Sequence, residues 1–575
     1  MTYRAPVADI VFALKHAAGF AAALKDGLYG ELDEATVEAV LQEAGKFATD
    51  VIAPLNREGD KFGTPFKDGR VTMPPGWKEA YTAWAAAGWN GLAAPAAFGG
   101  QELPHAVNAA CVEMWNSASA AFAIGPVLTM AAIDALAAYG TDELKQRYLG
   151  KLTSGEWMGT MQLTEPQAGS DVGALRSKAV RAKDGSYRIA GSKIFITYGE
   201  HELTDNIIHF VLARLPDAPS GTKGISLFLV PKFLPDGTRN DVRAHSVEHK
   251  LGIHASPTCT MVYGDQGGAV GFLIGEEHKG MAAMFTMMNR ARLAVGLQGV
   301  GIAERALQQA EAYARERRQG AGGTIIHYPD VKRMLLTMRG LTGAARAICY
   351  ATGVAIDRSL RDKSEAARKS WHERASLLTP VAKAFSTDIG IEVASLGVQV
   401  HGGMGFIEET GAAQHYRDAR IAAIYEGTNG IQALDLVTRK VPLDGGRTVA
   451  RYVEELRGIV GAVQASNAPA FGETAARLRE ALDSLERATQ WLLAQQGSDA
   501  ALAGATPYLR LFGGAAGGCL LAEQALAALR AGDGAARVVL ARFFAENIAV
   551  QASGLERSVT AGADSVLQAG AALSV

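Results

Sequence analysis

Residues 420–432 read RIAAIYEGTNGIQ, and how this stretch is read decides the fold. It places one acidic residue, Glu426, between Tyr425 and Gly427, with a helical pattern before it and an apolar run behind. A surface loop ordinarily carries several polar residues, and a helix interior avoids glycine. One reading is a helix end with a solvated glutamate. The other is an acid held there for its chemistry. The surrounding chain has to choose.

The chain has 575 residues and is 48% apolar, enough for several hydrophobic cores and, by length, three or four domains. A formal net charge of −2 gives no basic face for nucleic acid and no acidic tail. Cys111, Cys259, Cys349 and Cys519 are too scattered for a zinc knuckle or a disulfide framework. No metal site is indicated, and that cysteine usage suits a reducing cytoplasm. The first twenty residues lack the basic start, apolar core and cleavage site of a signal peptide, which also predicts a cytoplasmic protein. Residues 121–140, AFAIGPVLTMAAIDALAAYG, are interrupted by Pro126 and Asp134 and read as a buried helix, not a membrane span.

Periodicity then divides the chain. Residues 33–55, DEATVEAVLQEAGKFATDVIAPL, are helical and predicted to stop at Pro54, and Thr141 and Asp142 look like the cap of a later helix. Between 161 and 278 the character turns to strand. Asp184-Gly185 marks a hairpin, and NIIHFVLARL and GISLFLVPKF are β-rich runs between turn residues. Helices return from 279, and KVPLDGGRT has the punctuation of a linker before a further helical region. The expected architecture is mainly α with a central β domain. It comprises an extension (1–35), a helical domain (36–160), a β domain (161–278), a second helical domain (279–445) and a C-terminal helical domain (446–575).

Four stretches besides the first carry chemistry. In MQLTEPQAGSD (161–171), Pro166 and Gly169 make a loop whose backbone N–H groups and hydroxyls could face a heterocycle edge or a phosphate; a tight turn is the plainer account. In GSKIFITYGEH, strand alternation would put Phe195 and Thr197 on the same side, where a packed core aromatic is the alternative. GVQVHGGMGF lacks the preceding strand of a dinucleotide fingerprint. Phe385, Ile389, Val393, Leu396 and Val400 instead mark a helix face leading into a glycine loop that another molecule could approach. Finally, Arg315, Arg317 and Arg318 end a long helix, either complementing its dipole or gripping a phosphate.

Taken in order, LTEPQAGSD, KIFIT, KLGIHASPTC, NRARLAVGLQG, YARERRQ, QVHGGMGF, RDARI and IYEGTNGIQ resemble the acyl-CoA dehydrogenase family of flavoproteins over roughly residues 40–440. The resemblance implies a helical domain, a β-barrel domain and a four-helix-bundle domain, here with an added C-terminal helical domain. It implies FAD, with Met161, Leu163, Thr164, Gly169, Ser170, Phe195, Ile196 and Thr197 around it. Arg317, Gln399, Gly402 and Gly403 would hold the FAD of a neighbouring subunit, Thr428 would touch the cofactor, and a homodimer or homotetramer follows. Ser170, Asn289, Arg292 and Gly427 would meet the acyl-CoA. Glu426 would be the catalytic base, and Ala291, where some members carry that base, cannot take a proton.

Three departures stand out. The usual continuation after the family arginine is replaced by RRQGAGGTIIHYPDV, a common aspartate is Asn289, and a frequent flavin-stacking tryptophan is Phe195. Electron-transfer flavoprotein is the implied acceptor. The start YRAPVADIVFAL and the long C-terminal region are similar to a long bacterial subfamily, which implies a short thioether substrate, 3-methylmercaptopropionyl-CoA, ahead of straight short or medium chains. An oxidase and a nucleic-acid-binding flavoprotein are the rival readings. Balanced charge and the absence of lysine after residue 446 speak against the latter.

Overall fold

The structure, a computed structural model, describes residues 3–321 and 323–573. Contacts divide the chain into two compact units, neither continuous in sequence. One comprises 47–103 and 118–291; the other joins 1–46 and 104–117 to 292–575.

The first unit is built on a β domain. A short ribbon pairs β1 (Phe66–Lys67) with β2 (Arg70–Val71). The main sheet contains β3 (Trp157–Gln162), β4 (Lys178–Arg181), β5 (Tyr187–Thr197), β6 (Asn206–Arg214), β7 (Ile225–Pro231), β8 (Val242–Val247), β9 (Thr258–Tyr263) and β10 (Ala269–Ile274). Its order is β10-β7-β6-β4-β5-β9-β8, with β3 parallel to β6. Because β10 also pairs with β5, the strands from β10 through β7, β6 and β4 to β5 close into a barrel. All of β7, and all of β6 except Arg214, is buried, which explains continuous apolar runs where a half-exposed strand would alternate. The Asp184-Gly185 hairpin joins β4 to β5, with Gly185 at φ +81°.

The helix Ala120–Tyr139 lies on β3, its N-terminus capped by Ser119. Pro126 does not interrupt it: Gly125 and Pro126 are helical and buried, and surrounding apolar contacts offset the missing backbone hydrogen bond. A Cβ on Gly159 of β3 would come within 2.7 Å of Ala132, so glycine permits this close approach. This helix and Ala505–Arg530 are long and apolar enough to cross a membrane, but 83% of the most apolar window of each is buried inside the protein. Both are core helices. Pro54 likewise does more than end a helix. The helix Glu34–Phe47 continues through a wider turn, and Pro54 then precedes the new helix Leu55–Phe62.

The second unit is helical. Its long elements are residues 292–316 of the helix Gly280–Glu316, then Pro329–Arg361 and Glu365–His401, and the last two pack along each other. The C-terminal helices Arg447–Ala465, Thr474–Ala494, Ala505–Arg530 and Ala535–Asn547 belong to the same unit. The first helix, Val7–Ala17, packs on both Pro329–Arg361 and Ala505–Arg530, with Asp9 paired to Arg537 at 2.6 Å. At the centre, the buried Arg346 guanidinium bridges Glu113 at 2.6 Å and Glu304 at 2.8 Å. All four cysteines are free and buried.

Candidate active site

In the helical unit, the stretch quoted at the outset is a strained turn. Glu426 has φ +56° and Gly427 φ +84°, both left-handed. A side chain in that region costs about 1–2 kcal/mol, so something must hold it there. Several groups do. Gln432, fully buried, donates its amide to the Glu426 carbonyl at 3.3 Å. The Tyr425 hydroxyl donates to Gln298, whose amide in turn reaches Asn116 at 3.2 Å. Thr428 caps the helix Asn429–Asp435 by accepting from the Ile431 N–H at 3.2 Å. From below, the Lys383 ammonium donates to the Gly427 carbonyl at 2.8 Å and to Asn429 Oδ1 at 2.9 Å. Gly427 is required by the backbone: a Cβ there would sit 2.6 Å from the Gln432 amide nitrogen.

Glu426 keeps part of its surface open, yet burial raises its carboxyl above the ordinary range, while Arg292 and then Lys383 pull the other way. A carboxylate left in water titrates near about 4.3 and is a feeble base. Desolvation makes it a better one, and the two cations keep it ionisable. Arg292 is buried, and Asp435 and then Glu426 oppose the lowering that burial imposes on it. One helical turn earlier Asn289 is exposed, and Ala291 is buried and inert.

In the β unit, the loop after β3 and the end of β5 form a second group. Leu163 is half-buried against the core and Met161 is buried, while Gly169 and Ser170 are exposed, and a Cβ on Gly169 would meet nothing. Thr164 accepts from the Ile194 N–H at 2.9 Å, which ties loop to strand. The expected alternation along β5 is broken by a bulge. Lys193 faces Met261 and Ile196 faces Cys259, so β5 carries one residue more than β9. Phe195 sits in that bulge at φ +60° and is 59% exposed, which removes the core-aromatic reading. Ile196 turns inward and is buried, so only its backbone can face a ligand; Thr197 is half-buried. Beneath the loop, the fully buried Lys193 donates to the Leu163 carbonyl at 3.1 Å and pairs with Glu165 at 2.8 Å.

The helix Glu365–His401 carries the predicted buried face, except that Leu396 is half-buried, and ends at Gly402. Gln399, Gly402 and Gly403 are exposed, and a Cβ at either glycine would meet nothing. Arg315, Arg317 and Arg318 are exposed; Arg317 follows the end of its helix and forms no ion pair among the described residues. Sequence reading overlooked Lys383, Lys193, Glu165 and Gln432. A signal existed for the lysines: Lys383 is the only charge in residues 377–387, and Lys193 the only one in 189–198.

Comparison with known proteins covers most of the chain. Family models described as "Acyl-CoA dehydrogenase, N-terminal domain", "middle domain" and "C-terminal domain" match residues 34–156, 160–266 and 278–441. One described as "Acetyl-CoA dehydrogenase C-terminal like" matches 452–569. The chain is 47% identical to the 3-methylmercaptopropionyl-CoA dehydrogenase of Ruegeria pomeroyi, covering 99% of this chain and 100% of that one. It is 34% identical to a broad-specificity linear acyl-CoA dehydrogenase of Mycobacterium tuberculosis, over 95% of each. An acyl-CoA dehydrogenase from Bacillus anthracis, solved with FAD, superposes with a TM-score of 0.76 at 21% identity, covering 93% of this chain and 89% of that one.

Proposed function

The chain belongs to the acyl-CoA dehydrogenase family, and from that premise we propose that Glu426 is the base that takes the α-proton of its thioester substrate. The protein is an FAD-dependent oxidoreductase that introduces a double bond between the α- and β-carbons of an acyl-CoA. The observation that carries the assignment is the turn itself. Glu426 is held left-handed, its carboxyl raised by burial and answered by two cations, in a position reached from solvent. Such a group can accept a proton and return it at working pH.

The β unit fits a flat cofactor. Phe195 offers an exposed aromatic face, Thr164 and Thr197 offer hydroxyls, Met161 and Leu163 offer apolar support, and Gly169 and Ser170 leave open backbone. When bound, FAD supplies the acceptor for the hydride that leaves the β-carbon. Arg317, Gln399, Gly402 and Gly403 are exposed enough to reach the cofactor of a second copy, with Thr428 beside the base. Phe406, 86% exposed, with Met404 and Ile407, supports a homo-oligomer covering that loop. Ser170, Asn289, Arg292 and Gly427 are the proposed acyl-CoA contacts. The acceptor protein is electron-transfer flavoprotein, and the setting is cytoplasmic, in keeping with four buried free cysteines.

For the acyl group we take 3-methylmercaptopropionyl-CoA, the substrate named for a relative 47% identical over nearly the whole chain. A panel of acyl-CoA thioesters with an artificial electron acceptor tests it. The thioether should give the highest kcat/KM; a straight C4–C8 chain exceeding it tenfold ends the assignment. For the base, Glu426→Gln should keep FAD but lose roughly 10²–10⁴ in turnover. Flavin bleaching by substrate at the parent rate would refute it.

A further inference from the structure

Lys383 lies within the helix Glu365–His401 with no solvent exposure. Its two acceptors are the Gly427 carbonyl and Asn429 Oδ1, and among the described residues it forms no ion pair. The Asn429 amide nitrogen is itself anchored, donating to Asp388 at 2.6 Å and to the Ala384 carbonyl at 3.2 Å. A buried ammonium without a carboxylate of its own is costly, and methionine would fill the same space without that cost. The charge needs a reason.

We propose that Lys383 is a positioning residue for the base: through the Gly427 carbonyl it holds Glu426 in its left-handed turn, and its charge keeps the Glu426 carboxylate available. This rests on the assignment of Glu426 above. The groups facing the pair come from several elements. Glu426 is met by Arg292 from the helix Gly280–Glu316 and by Lys383. Lys383 is met by Glu426, by Asp388 on its own helix and by Arg292; Asp388 is met in turn by Arg510 and Arg420. Burial pulls Lys383 down to about 7, with Glu426 and Asp388 opposing that fall. Burial drives Glu426 the other way, up. Burial and the two cations thus act on the carboxyl in opposite senses, and the nearby ammonium limits the rise.

The pH dependence of kcat/KM for the holoenzyme separates this from simple packing. The probe is the best acyl-CoA of the panel, with bound flavin and unfolding monitored for each variant. In Lys383→Gln, which keeps a donor for the carbonyl but removes the charge, the acidic limb should move up by about one unit. Turnover should fall by up to about tenfold on the acidic limb and by less at higher pH. Lys383→Arg, which keeps the charge, should return the limb to the parent position. Lys383→Met serves in place of the Gln variant if that one does not fold, with the same upward shift expected. A limb that stays put in a folded, flavin-loaded neutral variant overturns the proposal while leaving Glu426 as the base. Full turnover in Glu426→Gln overturns both.

Discussion

The loop after β3 and the turn that carries Glu426 are each fastened from beneath by a lysine with no exposed surface, but the two lysines are treated differently. Lys193 has its own carboxylate. Glu165 pairs with it at 2.8 Å and also accepts from the Arg176 N–H at 2.6 Å and the Ser177 N–H at 3.1 Å. Burial by itself would raise Glu165, yet the charge of Lys193 and these hydrogen bonds together pull it down to about 2. Burial lowers Lys193 to about 8, so the pair stays ionised at neutral pH. Lys383 has only neutral acceptors, a carbonyl and an amide oxygen, and falls to about 7. The difference follows from what each loop must do. A loop that needs only shape can have its charges matched within it. A turn that carries a base gains when the matching charge is left to act on that base.

The sharpest way to separate the two regions is at their acids. Glu426→Gln should cost roughly 10²–10⁴ in turnover and little in stability, because the turn keeps its fasteners. Glu165→Ala should do the reverse, stranding Lys193 and destabilising the β unit by about 3–5 kcal/mol in a urea titration of the holoenzyme. Acid should act on this pair as well. Glu165 titrates below its ordinary 4.5 in the folded protein, so the unfolded chain binds the extra proton. Its stabilisation is therefore complete above pH 4.5 and lost as pH falls toward 2, and Glu165→Gln should flatten that part of the stability curve.

Two smaller changes probe the turn without touching its charges. Gly427→Ala meets both a φ of +84° and the Gln432 amide. It should destabilise the protein by about 1–3 kcal/mol and lower turnover, measured side by side on the purified variant. Tyr425→Phe removes one hydrogen bond to Gln298 and should cost about 1 kcal/mol in unfolding. An effect on turnover larger than that of Gly427→Ala would show that Gln298, not the glycine, sets the geometry.

Much of this was readable in advance where the physics is local. The Asp184-Gly185 hairpin, the buried runs of β6 and β7 and the Thr141 cap follow from turn chemistry and periodicity within a few residues. The helix face from Phe385 to Val400 and the glycine that ends it are of the same kind. Where the expectation failed, a distant element had intervened. The alternation of β5 breaks because β9 meets it one residue short.

Residue order alone carried the identity of the acid, the glycine after it and the motifs that tie the chain to its family. It could not say that Glu426 would be twisted left-handed, or that the one charge in an apolar helix would lie beneath it. Those are properties of assembly. Desolvation and Coulomb terms depend on everything within several ångströms, and the groups that matter to residue 426 stand at 292, 383 and 432, on three separate helices.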